Sequence, residues 1–101
     1  MEPTSLHFAR TARSLTAAAR ANGLIAPTFR SPPRLEGATR TIRRTADGVT
    51  VSVVLRGRPW PAVAADMVEG VVAANDLAGL AADRARATLW AAVPDDEERA
   101  A

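Results

Sequence analysis

The chain has 101 residues, with 13 arginines against 11 acidic residues, a formal net charge of +2, one histidine and no cysteine. This length fits one domain with one modest hydrophobic core. The absence of cysteine excludes disulfides, thiolate zinc sites and cysteine nucleophiles, and a single histidine excludes a histidine-based metal cluster.

Residues 4–22 are predicted to form the first helix. Gly23 lies where the left-handed residue after a helix belongs. Apolar side chains recur at helical spacing along one side of this segment: Phe8, Ala12, Leu15 and Ala19. Arg10, Arg13 and Arg20 fall on the opposite, solvent side. Residues 24–38 follow as a proline-containing connector that can include a short edge strand.

Residues 39–57 predict a β-hairpin. Two strand-like runs flank Asp47-Gly48, which supplies the positive φ angles of a two-residue turn and would place Ile42 opposite Val53. Because side chains alternate along a strand, the hairpin has two different faces. The face that can pack on helices has Arg40, Ile42, Arg44, Val49, Val51, Val53 and Leu55. The other, polar face has Thr39, Thr41, Arg43, Thr45, Thr50, Ser52, Val54 and Arg56.

Residues 61–75 and 79–93 predict two further helices, the second of which ends at Pro94. Their apolar faces are Val63, Met67, Val68, Val71 and Val72 in the first of these helices, and Ala82, Ala85, Leu89 and Val93 in the second. Asp66 and Glu69 are expected on the solvent side, where a solvated helix face is a simpler interpretation than a cation site.

The predicted fold class is α+β: an N-terminal helix, a β-hairpin, then two antiparallel helices packed on the sheet. Residues 1–94 form one domain in this interpretation, and residues 95–101 form a disordered acidic tail. Trp60 and Trp90 are expected to anchor the core, with interface contacts, or base stacking by Trp60, as alternatives. Because the core is rich in alanine, a homodimer would add buried apolar area.

Arginine is concentrated in one half of the chain. Ten arginines against three acids give residues 1–60 a charge of +7, whereas three arginines against eight acids give residues 61–101 a charge of −5. Such asymmetry favours contact with nucleic acid or another charged surface. Seven arginines between Phe29 and Trp60 are the candidate nucleic-acid-binding residues: Arg30, Arg34, Arg40, Arg43, Arg44, Arg56 and Arg58.

Arg56-Gly57-Arg58-Pro59 resembles the core of the AT-hook motif. In that motif an extended Arg-Gly-Arg lies in a narrow A·T minor groove, where glycine allows close approach and the guanidiniums enter the enhanced negative potential. The resemblance covers four residues, and Leu55 stands where a proline usually precedes. The same segment also fits a strand-to-helix junction, with Gly57 at the bend and Pro59 and Pro61 beginning the helix.

Residues 49–93 are similar in element order and length to the ribbon-helix-helix repressors, and Gly79-Leu80 lies where those proteins often turn between helices. The Ser/Thr-Arg-Ser start of their second helix is absent, because this chain has Ala81-Ala82-Asp83 there. Those repressors pair one strand between two subunits, whereas this hairpin offers a partner within the chain. A two-stranded ribbon also fits the DNA major groove by itself.

The shortage of catalytic side-chain types favours a protein that is not an enzyme. One histidine and no lysine, cysteine or tyrosine leave little for acid–base or covalent catalysis. No stretch approaches the roughly 20 apolar residues that span a bilayer. We expect a small cytoplasmic DNA-binding protein, regulatory or accessory, of bacterial composition, without cofactor, metal or membrane contact. The alternative is a protein–protein adaptor whose arginines dock an acidic partner.

Overall fold

The computed structural model describes residues 5–94, and its elements confirm the predicted α+β fold: a helix, a sheet, then two helices packed on the sheet. The elements are α1 (Ser5–Ala21), β1 (Thr28–Arg30), β2 (Arg40–Thr45), β3 (Gly48–Val53), α2 (Trp60–Ala74) and α3 (Gly79–Ala91). The acidic tail expected over residues 95–101 lies outside the described residues.

The ends of α1 and α2 follow from local backbone chemistry. After α1, Gly23 takes φ +70°, and the N–H of Leu24 donates to Ala19 O at 2.8 Å. This is the Schellman arrangement, which needs a left-handed residue just beyond the helix. After α2, Asp76 takes the same role at φ +52°, and is the one non-glycine residue at positive φ within residues 5–94.

The sheet has three strands in the order β1-β3-β2. β2 and β3 form the predicted antiparallel hairpin. The short strand β1 pairs with the other side of β3 in parallel, which makes the sheet mixed. β3 is therefore central, and its two neighbours are edge strands among the described residues.

The hairpin register differs by two residues from the prediction. Ile42 lies opposite Val51 instead of Val53, because Ala46-Asp47 forms the turn and Gly48, at φ +142°, already belongs to β3. A shift of one residue would exchange the two faces of a strand, but a shift of two preserves them. Every side chain of β2 and β3 therefore stays on its predicted face.

The inner face of the sheet, which bears Val51 and Val53, packs on α2, and α1 and α3 pack on α2 in turn. Gly70 allows the close approach of α2 to the sheet, because a Cβ there would lie 2.5 Å from Val51 Cγ1. The fully buried large side chains are Leu15, Val51, Val53, Val63, Met67, Val68, Val71 and Leu89, with Thr11 among them. No helix within residues 5–94 is long and apolar enough to cross a bilayer.

Two expectations about single residues are wrong. Trp90 is 42% exposed, because it lies about 100° around α3 from Leu89, which points into the core. Trp60, by contrast, packs against the core, with its ring centroid 6.0 Å from that of His7. Asp66 is only 8% exposed, although it was expected on the solvent side of α2. Its burial is explained by the arginines that surround it.

Candidate functional site

The structure divides the seven candidate arginines into two groups. The paired arginines make ion pairs with acids of α2 or of the turn that follows it: Arg40, Arg44 and Arg58. The unpaired arginines are exposed and have no acidic partner among residues 5–94: Arg30, Arg34, Arg43 and Arg56. The seven candidate arginines therefore do not converge on one surface.

Asp66 joins two of the paired arginines. Its Oδ1 accepts a hydrogen bond from Arg40 Nη1 at 2.7 Å. Arg58 Nη2 lies 2.7 Å from Oδ2, in an ion pair whose N–H is not aligned for a hydrogen bond. Arg58 also donates to the backbone oxygens of Val54 at 2.7 Å and Ala62 at 3.4 Å. With the Arg58 side chain only 17% exposed, these groups form a partly desolvated charge cluster.

Arg44 caps the C-terminus of α2. It donates from Nη1 to Ala74 O and from Nη2 to Ala73 O, both at 3.1 Å, and its Nη2 lies 3.0 Å from Asp76 Oδ1. The last carbonyls of a helix have no partner within it, and a cation there also opposes the negative end of the helix dipole. The contacts of Arg44 are thus those of a structural residue.

The Arg-Gly-Arg-Pro segment has the geometry of a strand-to-helix junction. Gly57 takes φ +73°, and Pro59, with extended backbone, immediately precedes α2. An AT-hook core places both of its guanidiniums in one groove, but here Arg58 is held against α2 while Arg56 is exposed. The resemblance to the AT-hook therefore does not extend to the arrangement of the two arginines.

The outer face of the sheet, opposite α2, is open and polar. Two rows of cross-strand neighbours form it: Arg30–Ser52–Thr41 and Thr28–Thr50–Arg43. Thr45 extends the face along β2. All of these side chains are exposed except Ser52 and Thr50, which are half-buried. No acid or aromatic residue lies in either row, so this surface presents guanidinium and hydroxyl groups alone.

Most of the described acids are engaged elsewhere. Arg86 donates to both carboxylate oxygens of Glu69, at 2.7 and 3.0 Å, and to Asp83 at 3.0 Å. The hydrogen bonds that Arg86 donates to Glu69 raise the pKa of its guanidinium, which stays charged. Of the acids in residues 5–94, only Glu36 and Asp47 have no arginine partner. The arginines of the same range without an acidic partner are Arg10, Arg13, Arg20, Arg30, Arg34, Arg43, Arg56 and Arg84.

A groove between α1 and β1 was not anticipated from the sequence. Its volume is about 390 Å³, and Arg13 and Arg20 of α1 line it together with Thr28 of β1. The seven-residue spacing of these arginines places them on one side of the helix, two turns apart. That spacing is visible in the sequence, but the groove depends on where β1 lies.

No group of three or more His, Asp and Glu side chains in the described part of the chain could hold a metal ion. Comparisons with protein-family models, with curated proteins and with solved structures found no match. The strand pairing differs from that of the ribbon-helix-helix repressors, because β3 pairs on both sides within its own chain. Function is therefore inferred from the site alone.

Proposed function

We propose that this protein binds nucleic acid, duplex DNA in preference, through the outer face of its sheet. The observation that supports this proposal is the composition of that face, which has guanidinium and hydroxyl groups and no carboxylate. Phosphate oxygens accept hydrogen bonds from both kinds of group, and arginine can bind a phosphate or a guanine through two parallel bonds.

The dimensions of the sheet favour duplex DNA. The two strands of the β2–β3 hairpin, each about 4.8 Å wide, form a ribbon roughly 10 Å across, and the major groove, about 12 Å wide, admits such a ribbon. Single-stranded nucleic acid is usually held by stacking of bases on aromatic side chains. Neither row of the outer face contains an aromatic residue, so the face lacks the means for that mode of binding.

The contacts are assigned to the unpaired arginines. Arg30 and Arg43 lie on the outer face itself, while Arg34 and Arg56 follow β1 and β3 in sequence by four and three residues. The paired arginines stabilise the fold, because their guanidiniums are already engaged by Asp66, Asp76 and backbone carbonyls. This set of four arginines is smaller than the set of seven predicted from the sequence.

Fluorescence anisotropy with a labelled DNA duplex, at several salt concentrations, tests the proposal. If four arginines each neutralise one phosphate, log affinity falls with log salt at a slope of about −3.6. The variant Arg30→Gln plus Arg43→Gln removes two of these contacts, so its slope is expected to be shallower by about 2. A labelled single strand of the same sequence is expected to bind more weakly than the duplex.

The matched control is Arg10→Gln plus Arg84→Gln. It makes the same change in net charge at two exposed arginines outside the sheet that have no acidic partner within residues 5–94. Affinity of this control close to that of the unmodified protein supports the outer face as the site. Absence of binding at low salt, or an equal loss in the two double variants, contradicts the proposal.

A further inference from the structure

We propose that the groove between α1 and β1 binds an extended acidic segment of a partner protein, which adds to β1 as a fourth strand. This proposal does not depend on the proposed function. It uses α1 and the free edge of β1, whereas DNA binding is assigned to the outer face of the sheet.

The groove combines a strand edge with a basic helix. β1 is an edge strand, and the row of backbone groups turned away from β3 has no strand partner in residues 5–94. Arg13 and Arg20 line the groove from α1, and none of the acidic residues within 5–94 lines it. An extended peptide is the ligand that can satisfy both features, with its backbone pairing to β1 and its carboxylates contacting the arginines.

The remaining lining of the groove is largely apolar. Ala12 and Ala17 contribute from α1, and Ala26, Pro27 and Phe29 contribute from the segment that includes β1. The charged phosphates of a nucleic-acid backbone gain nothing from burial against such a surface. An apolar side chain of a peptide, placed between two acidic ones, can be buried there. The lining therefore favours a peptide over a phosphate chain.

The spacing of the arginines suggests a ligand sequence. Arg20 follows Arg13 by seven positions along the helix, which corresponds to about 10.5 Å along the axis. In an extended strand, side chains on the same face recur every second residue, and residues i and i+4 are about 13 Å apart. The flexible arginine side chains can span the small difference between these two distances. A peptide that matches the spacing of the two arginines therefore has acidic residues at i and i+4 and an apolar residue at i+2.

The first experiment measures binding of a labelled, acetylated and amidated peptide Gly-Glu-Thr-Val-Thr-Glu-Gly to the full chain by anisotropy. Replacing both glutamates of the peptide by glutamine is expected to weaken binding roughly tenfold, because two charge-assisted hydrogen bonds are lost. Methylating the backbone nitrogens of the peptide is expected to abolish binding, because strand addition needs its N–H groups.

Two protein variants locate the peptide. Arg13→Gln plus Arg20→Gln is expected to reduce affinity for the peptide roughly tenfold. Arg10→Gln plus Arg84→Gln has the same net charge but leaves the groove unchanged, and is expected to bind within about twofold of the unmodified chain. Far-ultraviolet circular dichroism and thermal unfolding of both variants establish that they are folded.

Three results would overturn the proposal. Undiminished binding of the methylated peptide would exclude strand addition. Equal losses in the two protein variants would exclude the groove as the site. A peptide of residues 93–101 has four acids but no large apolar side chain between them. If it binds as tightly as the designed peptide, the apolar position is unnecessary and the occupant is this chain's own C-terminal segment.

Discussion

Strand β2 has arginines on both faces of the sheet, and the two faces hold them in different ways. On the inner face, Arg40 and Arg44 contact Asp66, Asp76 and the carbonyls at the end of α2. On the outer face, Arg43 has hydroxyl-bearing neighbours and no acidic partner from the described part of the chain. The position of an arginine relative to α2 therefore decides whether its guanidinium stabilises the fold or stays exposed to a ligand.

Removing Asp66, the acid of α2 that contacts Arg40 on the inner face, is expected to have the largest effect. Asp66→Ala leaves the guanidiniums of Arg40 and Arg58 without a counter-charge in a partly buried site. Breaking a buried pair in this way costs roughly 3 kcal/mol of the free energy of unfolding. Urea denaturation measures this loss. Asp83→Ala is the control, because Asp83 is 71% exposed in its pair with Arg86, and we expect a change within about 0.5 kcal/mol.

If Asp66→Ala lowers the free energy of unfolding by less than about 1 kcal/mol, the structural role assigned to Arg58 is contradicted. Such a small loss would mean that the ion pairs of this cluster contribute little to holding Arg58 against α2. Arg58 would then return to the set of candidate DNA contacts, together with Arg56.

The next largest effect concerns the contact between α2 and the inner face. Gly70→Ala places a methyl group 2.5 Å from Val51 Cγ1, and Val51 is fully buried and branched at Cβ, so it cannot swing aside. Overpacking costs more than the gain in helix propensity, and we expect a net loss of about 2 kcal/mol in the free energy of unfolding. Urea denaturation measures it.

A double-mutant cycle with Val51→Ala identifies the cause of that loss. Since Val51→Ala removes the clashing methyl groups, the double variant is expected to be more stable than the sum of the two single losses implies. Simple additivity would show that the loss arises elsewhere in α2.

The smallest expected effect concerns Arg43 and Arg44, which are neighbours in β2 and lie on opposite faces of the sheet. Substituting each in turn therefore compares the two faces directly. Arg44→Gln removes the cap of α2 and is expected to lower the free energy of unfolding by about 1 kcal/mol. Arg43→Gln is expected to change it by less than about 0.5 kcal/mol. The DNA affinities, measured by anisotropy, should follow the opposite order. If Arg44→Gln weakens DNA binding more than Arg43→Gln does, the assignment of the two faces is wrong.

The alternation of the hairpin could be predicted from the sequence, and the pairing of its arginines could not. A period of two residues was enough to place Arg40 and Arg44 on one face and Arg43 on the other. The partners of Arg40 and Arg44 lie 26 and 32 residues further along the chain, so they depend on how α2 is placed over the sheet. Asp66 was expected in solvent for the same reason, since helical periodicity does not indicate that an arginine will neutralise a buried carboxylate.

Two other features exceed what local patterns can specify. The predicted turn at Asp47-Gly48 is wrong by one residue, because Ala46-Asp47 forms the turn and Gly48, with its positive φ, begins β3. The register of the hairpin therefore differs from the prediction by two residues. β1 was expected only as a short edge strand. Its parallel pairing to β3 could not be inferred, because three residues have too little pattern to select a neighbour and a direction.

The position of β1 in the sheet has a consequence for the order in which the chain assembles. β2 and β3 are joined by a two-residue turn, so they can pair through local contacts, whereas Thr28 of β1 meets Thr50 across a long intervening segment. Pairings of greater sequence separation form later, because the loop-closure entropy precedes any gain. A three-residue edge strand is also among the first parts of a sheet to open. The groove between α1 and β1 therefore exists only while β1 is paired with β3. A ligand that pairs with β1 shifts the equilibrium between the paired and the open strand toward the paired form.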